Sequence, residues 1–444
     1  MVKHSAYWAR ILALFVTALG VGVPLAARAT SPADEQLAAL QQKLDESLRM
    51  IAALSARVQQ LEAAQKAPPA ATAAATAAPA PAATPNESQR IAAVENKVSQ
   101  IETANASRVE DSTSLPMHGF ADVGIANHNA WNPNLKGYNV GNLDFYLTPR
   151  LGERTKALFE LNFESDIDGN IGVDLERAQI GYTFGDAATV WLGRFHTPFG
   201  YMNTALHHGS WIANALRRPA FLNFEDHDGV LPVHTVGLWL AGAARGDGGK
   251  MLYDIYVGNG QKIIGGAIDM RNAGNDHGQM IAGGRLGYQW TTGVADGLEL
   301  GLHALTSSID DDQLPEHMTR LRVVGGYAVF DTDRWEHIGE IYRFYNQDLS
   351  GNSANYISTA GFAQFAYRAS LGVPYLRYER AALQQGDQYF AQQTYGASYW
   401  RAATGVRFDI DLKSALKLEL AETHITDRSP RTYNEALAQY AIRF

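Results

Sequence analysis

The groups in this chain most able to do chemistry are guanidinium groups at alternate positions of extended segments. Arg150, Arg177, Arg194, Arg320 and Arg322 fall opposite apolar residues in such segments, and Arg217 and Arg218 stand together in a long irregular stretch. The guanidinium fork binds carboxylate or phosphate bidentately and stays charged at any physiological pH. Several weak sites in file, rather than one tight site, let an anion enter and leave again. The alternation predicts that these residues contact small-molecule anions inside a water-filled space. Lys156, Arg285, Arg368 and Lys417 are expected on the same face. Glu160, Glu164, Asp144, Asp254 and Glu419 share it, so cross-strand pairing that only holds the wall open is the competing reading.

Other chemistries find less support. The chain has no Cys, which removes disulfides, iron–sulfur clusters and covalent c-type haem. His207, His208, Asp226, His227 and Asp228 are metal-ligating types, but their spacing in an irregular stretch does not set a coordination geometry. The expectation is a polar loop hydrogen-bonded to the wall around it, with no metal and no cofactor. No compact Ser and His arrangement marks a hydrolase, so the chain is not expected to be an enzyme. A formal net charge of -9 argues against a nucleic-acid partner.

The elements that position the arginines are strands. Leu143, Phe145 and Leu147 alternate with Asp144 and Tyr146; Ala157, Phe159, Leu161 and Phe163 alternate with Lys156, Glu160, Asn162 and Glu164. The same rule holds through Met251–Val257, Leu286–Trp290 and Leu416–Leu420, and the chain ends on Tyr440-Ala441-Ile442-Arg443-Phe444 with an apolar face closed by an aromatic residue. Polar connections rich in Gly, Asn and Asp separate them, as at Gly246-Asp247-Gly248-Gly249. No run beyond the N-terminal leader is long and apolar enough for a helical span. In hydrocarbon the remaining solution is a closed barrel, because every backbone polar group must find a partner. Charges on the second face of nearly every segment fit a wet lumen better than the dry interior of a sandwich. The fold class expected is an all-β transmembrane barrel of about sixteen antiparallel strands over 117–444, preceded by an α-helical coiled coil. Between two strands lies the long stretch Thr197–Pro232, expected to fold inward as a constriction.

Ahead of the barrel, 1–29 reads as a secretory signal, with Lys3, His4 and Arg10 before an apolar run and Ala27-Arg28-Ala29 before the cleavage point. Residues 30–66 read as a coiled coil with Leu37, Leu44, Ile51 and Val58 at a and Leu40, Ser47, Leu54 and Leu61 at d. An Ala/Pro-rich linker follows at 67–85, and a second short coiled coil at 86–110 carries Ile91, Val94, Val98 and Ile101.

The run Leu192-Gly193-Arg194-Phe195-His196-Thr197-Pro198-Phe199-Gly200, between a strand and the long stretch, resembles the signature of the phosphate-selective porin O/P family. With its preceding coiled coil, the chain also resembles the DcaP-like trimeric porins, which take organic anions. The last strand is similar to the Phe-ended closing strand of bacterial outer-membrane barrels. The resemblance implies a homotrimeric, sixteen-stranded pore embedded in outer-membrane lipid, with a lumen tuned to anions and an N-terminal segment in the periplasm. This chain departs from it at His196, where many members carry Lys, and its wall has few Lys. The other class of function open to such a chain is a structural envelope tether with little or no transport.

Overall fold

The computed structural model describes residues 117–444 apart from 132–135, 150, 166–170, 186, 225–228, 272–273, 275–277, 313, 315–316, 351–352, 392 and 427–430. The expected signal, coiled coils and linker of 1–110, Arg150, and the Glu225-Asp226-His227-Asp228 run lie outside the described residues.

Sixteen strands form one closed antiparallel barrel. They are β1 (Met117–Ala126), β2 (Gly137–Leu147), β3 (Thr155–Ser165), β4 (Ile171–Gly185), β5 (Ala188–His196), β6 (His234–Gly246) and β7 (Gly249–Asn259), followed by β10 (Met280–Trp290) and β11 (Leu298–Asp310). The rest are β12 (Met318–Asp331), β13 (Trp335–Asp348), β14 (Asn355–Tyr367), β15 (Val373–Ala382), β16 (Tyr399–Asp411), β17 (Ser414–Ile425) and β18 (Arg431–Arg443). A separate two-residue hairpin, β8 (Ile263–Ile264) and β9 (Ala267–Ile268), sits in the connection after β7.

Each barrel strand pairs with its sequence neighbours, and closure comes from β1 against β18, in register from Phe120↔Arg443 to Ala126↔Leu437. Phe444 completes that seam. Its amide donates to the Gly119 carbonyl at 3.0 Å, and its carbonyl accepts from the Gly119 amide at 3.1 Å. A Cβ on Gly119 would lie 2.3 Å from the Phe444 ring, so the glycine is what lets the terminal aromatic lie flat on the seam.

The sequence alternation is the wall's two faces. Ile255 and Val257 on β7, Leu300 and Leu302 on β11, Ile341 on β13, Phe365 on β14 and Leu376 and Tyr378 on β15 are exposed outward. An apolar exterior is what a barrel in hydrocarbon needs. Among the described residues no helix is long and apolar enough to cross a membrane.

The inner face is not uniform. On β10 to β14 the inward residues include Ile281, Leu305, Leu321, Val323, Tyr327, Val329, Ile338, Tyr342, Phe344 and Phe362, all buried in one cluster with Phe199, Met202, Phe221, Leu222 and Leu231 of the long stretch after β5. Opposite them, β1 to β4 and β15 to β18 turn Asp122, Asp144, Glu160, Glu379, Arg401, Lys417, Glu419 and Glu435 inward. The expectation of charges lining the whole lumen therefore holds more fully on one side, while on β10 to β14 Arg285, Glu299 and Glu340 stand inward among the apolar residues.

Candidate functional site: the lumen and the loop that fills it

The connection from Thr197 to Val233, here the lumen loop, starts where β5 ends at His196 and turns back into the barrel. Gly200 makes that turn at φ +60, and a Cβ there would sit 2.2 Å from Glu340 Oε2. Only glycine allows both the backbone angle and the close approach. The loop then forms one helical turn at Met202–Ala205 and a 3-10 turn at Ala220–Leu222. A buried loop leaves backbone groups in need of partners.

The charged wall supplies them. Glu340 Oε1 accepts from the amides of Tyr201 at 3.1 Å and Met202 at 2.5 Å, and Glu379 Oε2 accepts from Ala220 at 2.6 Å. Carbonyls are met by cations: Arg285 donates to Gly200 at 3.3 Å, Arg407 to Trp211 at 2.5 Å and Lys417 to Ser210 at 2.5 Å, while Arg377 donates to the Arg217 carbonyl. Much of the basic wall thus suspends the loop. Behind it, Arg401 is ringed by Glu379 at 3.6 Å, Glu419 at 2.9 Å and Glu435, all fully or almost fully buried.

Between the loop and the wall of β1, β2 and β18 a cavity of about 590 Å³ remains. Its charged lining residues are Lys136, Arg217, Arg218, Arg377 and Arg401 against Asp122 and Glu164. Glu379, Glu419 and Glu435 do not reach it.

The residues singled out from sequence separate into groups. Arg217 and Arg218 both line the cavity. Arg217 pairs with Glu435 at 2.8 Å and keeps about a quarter of its side chain exposed. Arg218 serves its own loop, donating to the Leu222 and Leu206 carbonyls at 3.0 and 3.3 Å, with its guanidinium 4.5 Å from the Phe224 ring. Arg177 faces inward and donates to Glu160.

Arg194 is buried and does not reach the cavity, because it donates to the Met270 carbonyl and lies 3.2 Å from His234 Nδ1. Arg320 and Arg322 differ from the expectation altogether. On β12 the buried, inward positions are Thr319, Leu321 and Val323, which puts both arginines on the outer face. The reason is the apolar side of the lumen loop. It requires apolar residues inside β12, so a rule that sends apolar residues outward inverts this strand. Arg320 and Arg322 lie in the first turns of β12 after its connection, near the rim, where an outward cation costs roughly 0 to 1 kcal/mol instead of the 2 to 4 of mid-depth.

Sequence reasoning singled out His207 and His208 as metal-ligating types but missed the partners that the fold brings to them. Glu176 on β4, His196 at the end of β5, and His207 and His208 of the loop bring one ligand-type atom each to within 4.8 Å of one another, all buried. Glu176 is there because of a bulge: Glu160 pairs with Arg177 and Leu161 with Leu175, leaving Glu176 as the extra residue. His234, at the start of β6 opposite His196, places Nε2 2.6 Å from Glu176 Oε2. The only signal in the sequence was His-His next to a strand ending in His, and a bulge has no pattern of its own.

No family model and no curated protein sequence matches the chain. Solved structures do. An anion-selective porin from Comamonas acidovorans is 17% identical, with 74% of this chain and 98% of that chain covered and a TM-score of 0.51. OmpF of Salmonella typhi, in complex with daunomycin, is 12% identical over 74% and 97% of the two chains at a TM-score of 0.49. The outer membrane channel DcaP of Acinetobacter baumannii is 11% identical over 74% and 97% at 0.47. The first of these shares the barrel fold with this chain.

Proposed function

We propose that this chain is an outer-membrane channel for passive diffusion of small hydrophilic solutes, preferring anions. The observation that carries the preference is the arrangement of charge on the cavity wall. Lys136, Arg217, Arg218, Arg377 and Arg401 reach it against Asp122 and Glu164, while Glu379, Glu419 and Glu435 stand behind their arginine partners. Of the paired arginines Arg217 keeps about a quarter of its side chain exposed while its partner Glu435 is fully buried, so the positive end of that pair is the one a solute meets, which favours an anion at short range. The shared fold with an anion-selective porin supports the same reading. Phosphate and organic anions are the solute classes, no reaction is catalysed, and the assembly is a homotrimer in lipid whose N-terminal coiled coil extends into the periplasm.

Planar-bilayer recording of the purified full chain in a KCl gradient tests this. An anion-selective reversal potential, with current blocked by phosphate or succinate, supports the reading, and the stronger blocker identifies the class. A cation-selective or unselective potential overturns the anion preference. A second reading rests on the loop itself, which fills the apolar side of the lumen, and on the pairing of the buried charges. If a folded, heat-modifiable barrel carries no current, the lumen is sealed and the chain is an envelope tether.

A further inference from the structure

We propose that Glu176, His196, His207 and His208 hold one divalent transition-metal ion, Zn²⁺ in the first instance, which staples the lumen loop to the β4–β5 wall. This goes beyond transport, and a channel of either selectivity could carry it. Three imidazoles and one carboxylate are a ligand set for Zn²⁺, with Cu²⁺ and Ni²⁺ as competitors. The ligand atoms lie within 4.8 Å of one another and every residue is buried. Two ligands on one tetrahedral Zn²⁺ at its usual bond lengths are about 3.3 Å apart. Glu176 Oε2 stands 3.4 Å from His208 Nε2 and 3.7 Å from His207 Nε2, spacings that a shared ion fits.

The outer groups orient the lone pairs. Asn203 Nδ2 donates to the carbonyls of Thr197 at 2.9 Å and Val233 at 3.2 Å, so Asn203 Oδ1 faces His207 Nδ1 at 3.0 Å as an acceptor. The proton of His207 is therefore on Nδ1, and its Nε2 lone pair faces the cluster, where in the metal-free chain it meets His234 Nε2 at 2.9 Å, a hydrogen bond that metal binding would replace. His234 has the opposite tautomer, since the donor-only Arg194 guanidinium faces its Nδ1 at 3.2 Å. Its Nε2 carries the proton and stands 2.6 Å from Glu176 Oε2 and 2.9 Å from His207 Nε2, so with the His207 lone pair on a metal it is left to orient the carboxylate.

One observation independent of the spacing points to a ligand. His196 is buried at 7% exposure, yet its Nε2 makes no hydrogen bond among the described residues, with Glu160 Oε2 standing 3.5 Å away. Charge does not choose between occupants: Asp144, Glu160 and Glu176 bring three buried carboxylates against the guanidinium groups of Arg177 and Arg194, and the remainder is met by one imidazolium, for which His208 stands 3.4 to 3.8 Å from all three carboxylates, or by a metal. His207 also lines the 590 Å³ cavity, which gives an ion a route in from the lumen.

The test uses the purified full chain, stripped by chelator and dialysed in metal-free buffer, then titrated with Zn²⁺ and separately with Co²⁺. The expected result is about one equivalent of metal bound per chain, with the visible bands of four-coordinate Co²⁺. His207→Ala and Glu176→Gln should each abolish that binding in a barrel that keeps its heat-modifiable mobility, and His234→Ala should weaken affinity roughly 10 to 100-fold without changing the stoichiometry. Less than a tenth of an equivalent in the wild-type chain at excess metal, or unchanged binding in His207→Ala and Glu176→Gln, overturns the proposal and leaves a proton-sharing cluster. Should the variants fail to assemble, the wild-type Co²⁺ spectrum decides alone.

Discussion

At the scale of the residue, a charged side chain in this barrel is decided by what stands opposite it. Arg217 keeps part of its guanidinium at the cavity, whereas Arg401 spends all of its own on three glutamates. Arg217→Ala should therefore move the reversal potential in a KCl gradient towards zero while leaving the barrel intact. Arg320→Ala and Arg322→Ala, on the outer face, should leave that potential unchanged. Arg401→Met should act on stability instead. It leaves Glu379, Glu419 and Glu435 buried around an apolar side chain, and loss of one partner from a buried charge group typically costs about 3 to 5 kcal/mol. A clear fall in the heat-modification midpoint is the expected readout, and an unchanged midpoint would show those carboxylates to be protonated or hydrated. Parity puts Arg177 on the inner face, where the structure has it, and the length of the stretch after β5 draws attention to Arg217 and Arg218. Parity failed for Arg320 and Arg322 because the partner of β12 on its inner side is a loop whose apolar residues only the fold brings there.

At the scale of the element, the loops were legible as loops but not in their attachments. The sequence showed Thr197–Pro232 to be too long for a connection; nothing in it showed that Glu340 and Glu379, far along the chain, would cap its amides. The rim connection at 383–398 makes a comparable attachment. Asp387 accepts from Asn346 Nδ2 of β13 at 2.8 Å and from the Tyr389 amide at 3.1 Å. Burial pushes its carboxyl up from the ordinary 3.8 to about 6. The closed loop thus retains a proton that the opened loop would lose. Its attachment is full below about pH 4 and weakens as pH rises through about 6. Limited proteolysis of this connection should be slower at pH 4 to 5 than at pH 7.5, and Asp387→Asn should remove the difference. Equal cleavage rates at both pH values in the wild-type chain would place the titration elsewhere.

At the scale of the whole molecule, strand number, closure and the seam at Phe444 follow from alternation and from the demand that lipid leave no strand edge unpaired. What alternation cannot show is how the interior is divided. A period of two assigns faces, and it is blind to whether the inner face meets water or a folded-in loop. Here it meets both: the β10–β14 side is packed against Phe199, Phe221 and Leu231, and the remaining space lies against β1, β2 and β18. Ion flow must then run off-centre. Asn142→Trp, on the wall of the polar cavity, should cut single-channel conductance several-fold, because the indole projects into the space left for water between the loop and β1, β2 and β18. Ala360→Val, on the packed side, should alter stability while leaving conductance as it was, since overfilling a close-packed core typically costs about 1 to 3 kcal/mol. The opposite pair of outcomes would mean that the loop swings away from β10–β14 in the conducting state and that the passage opens where the structure shows packed side chains.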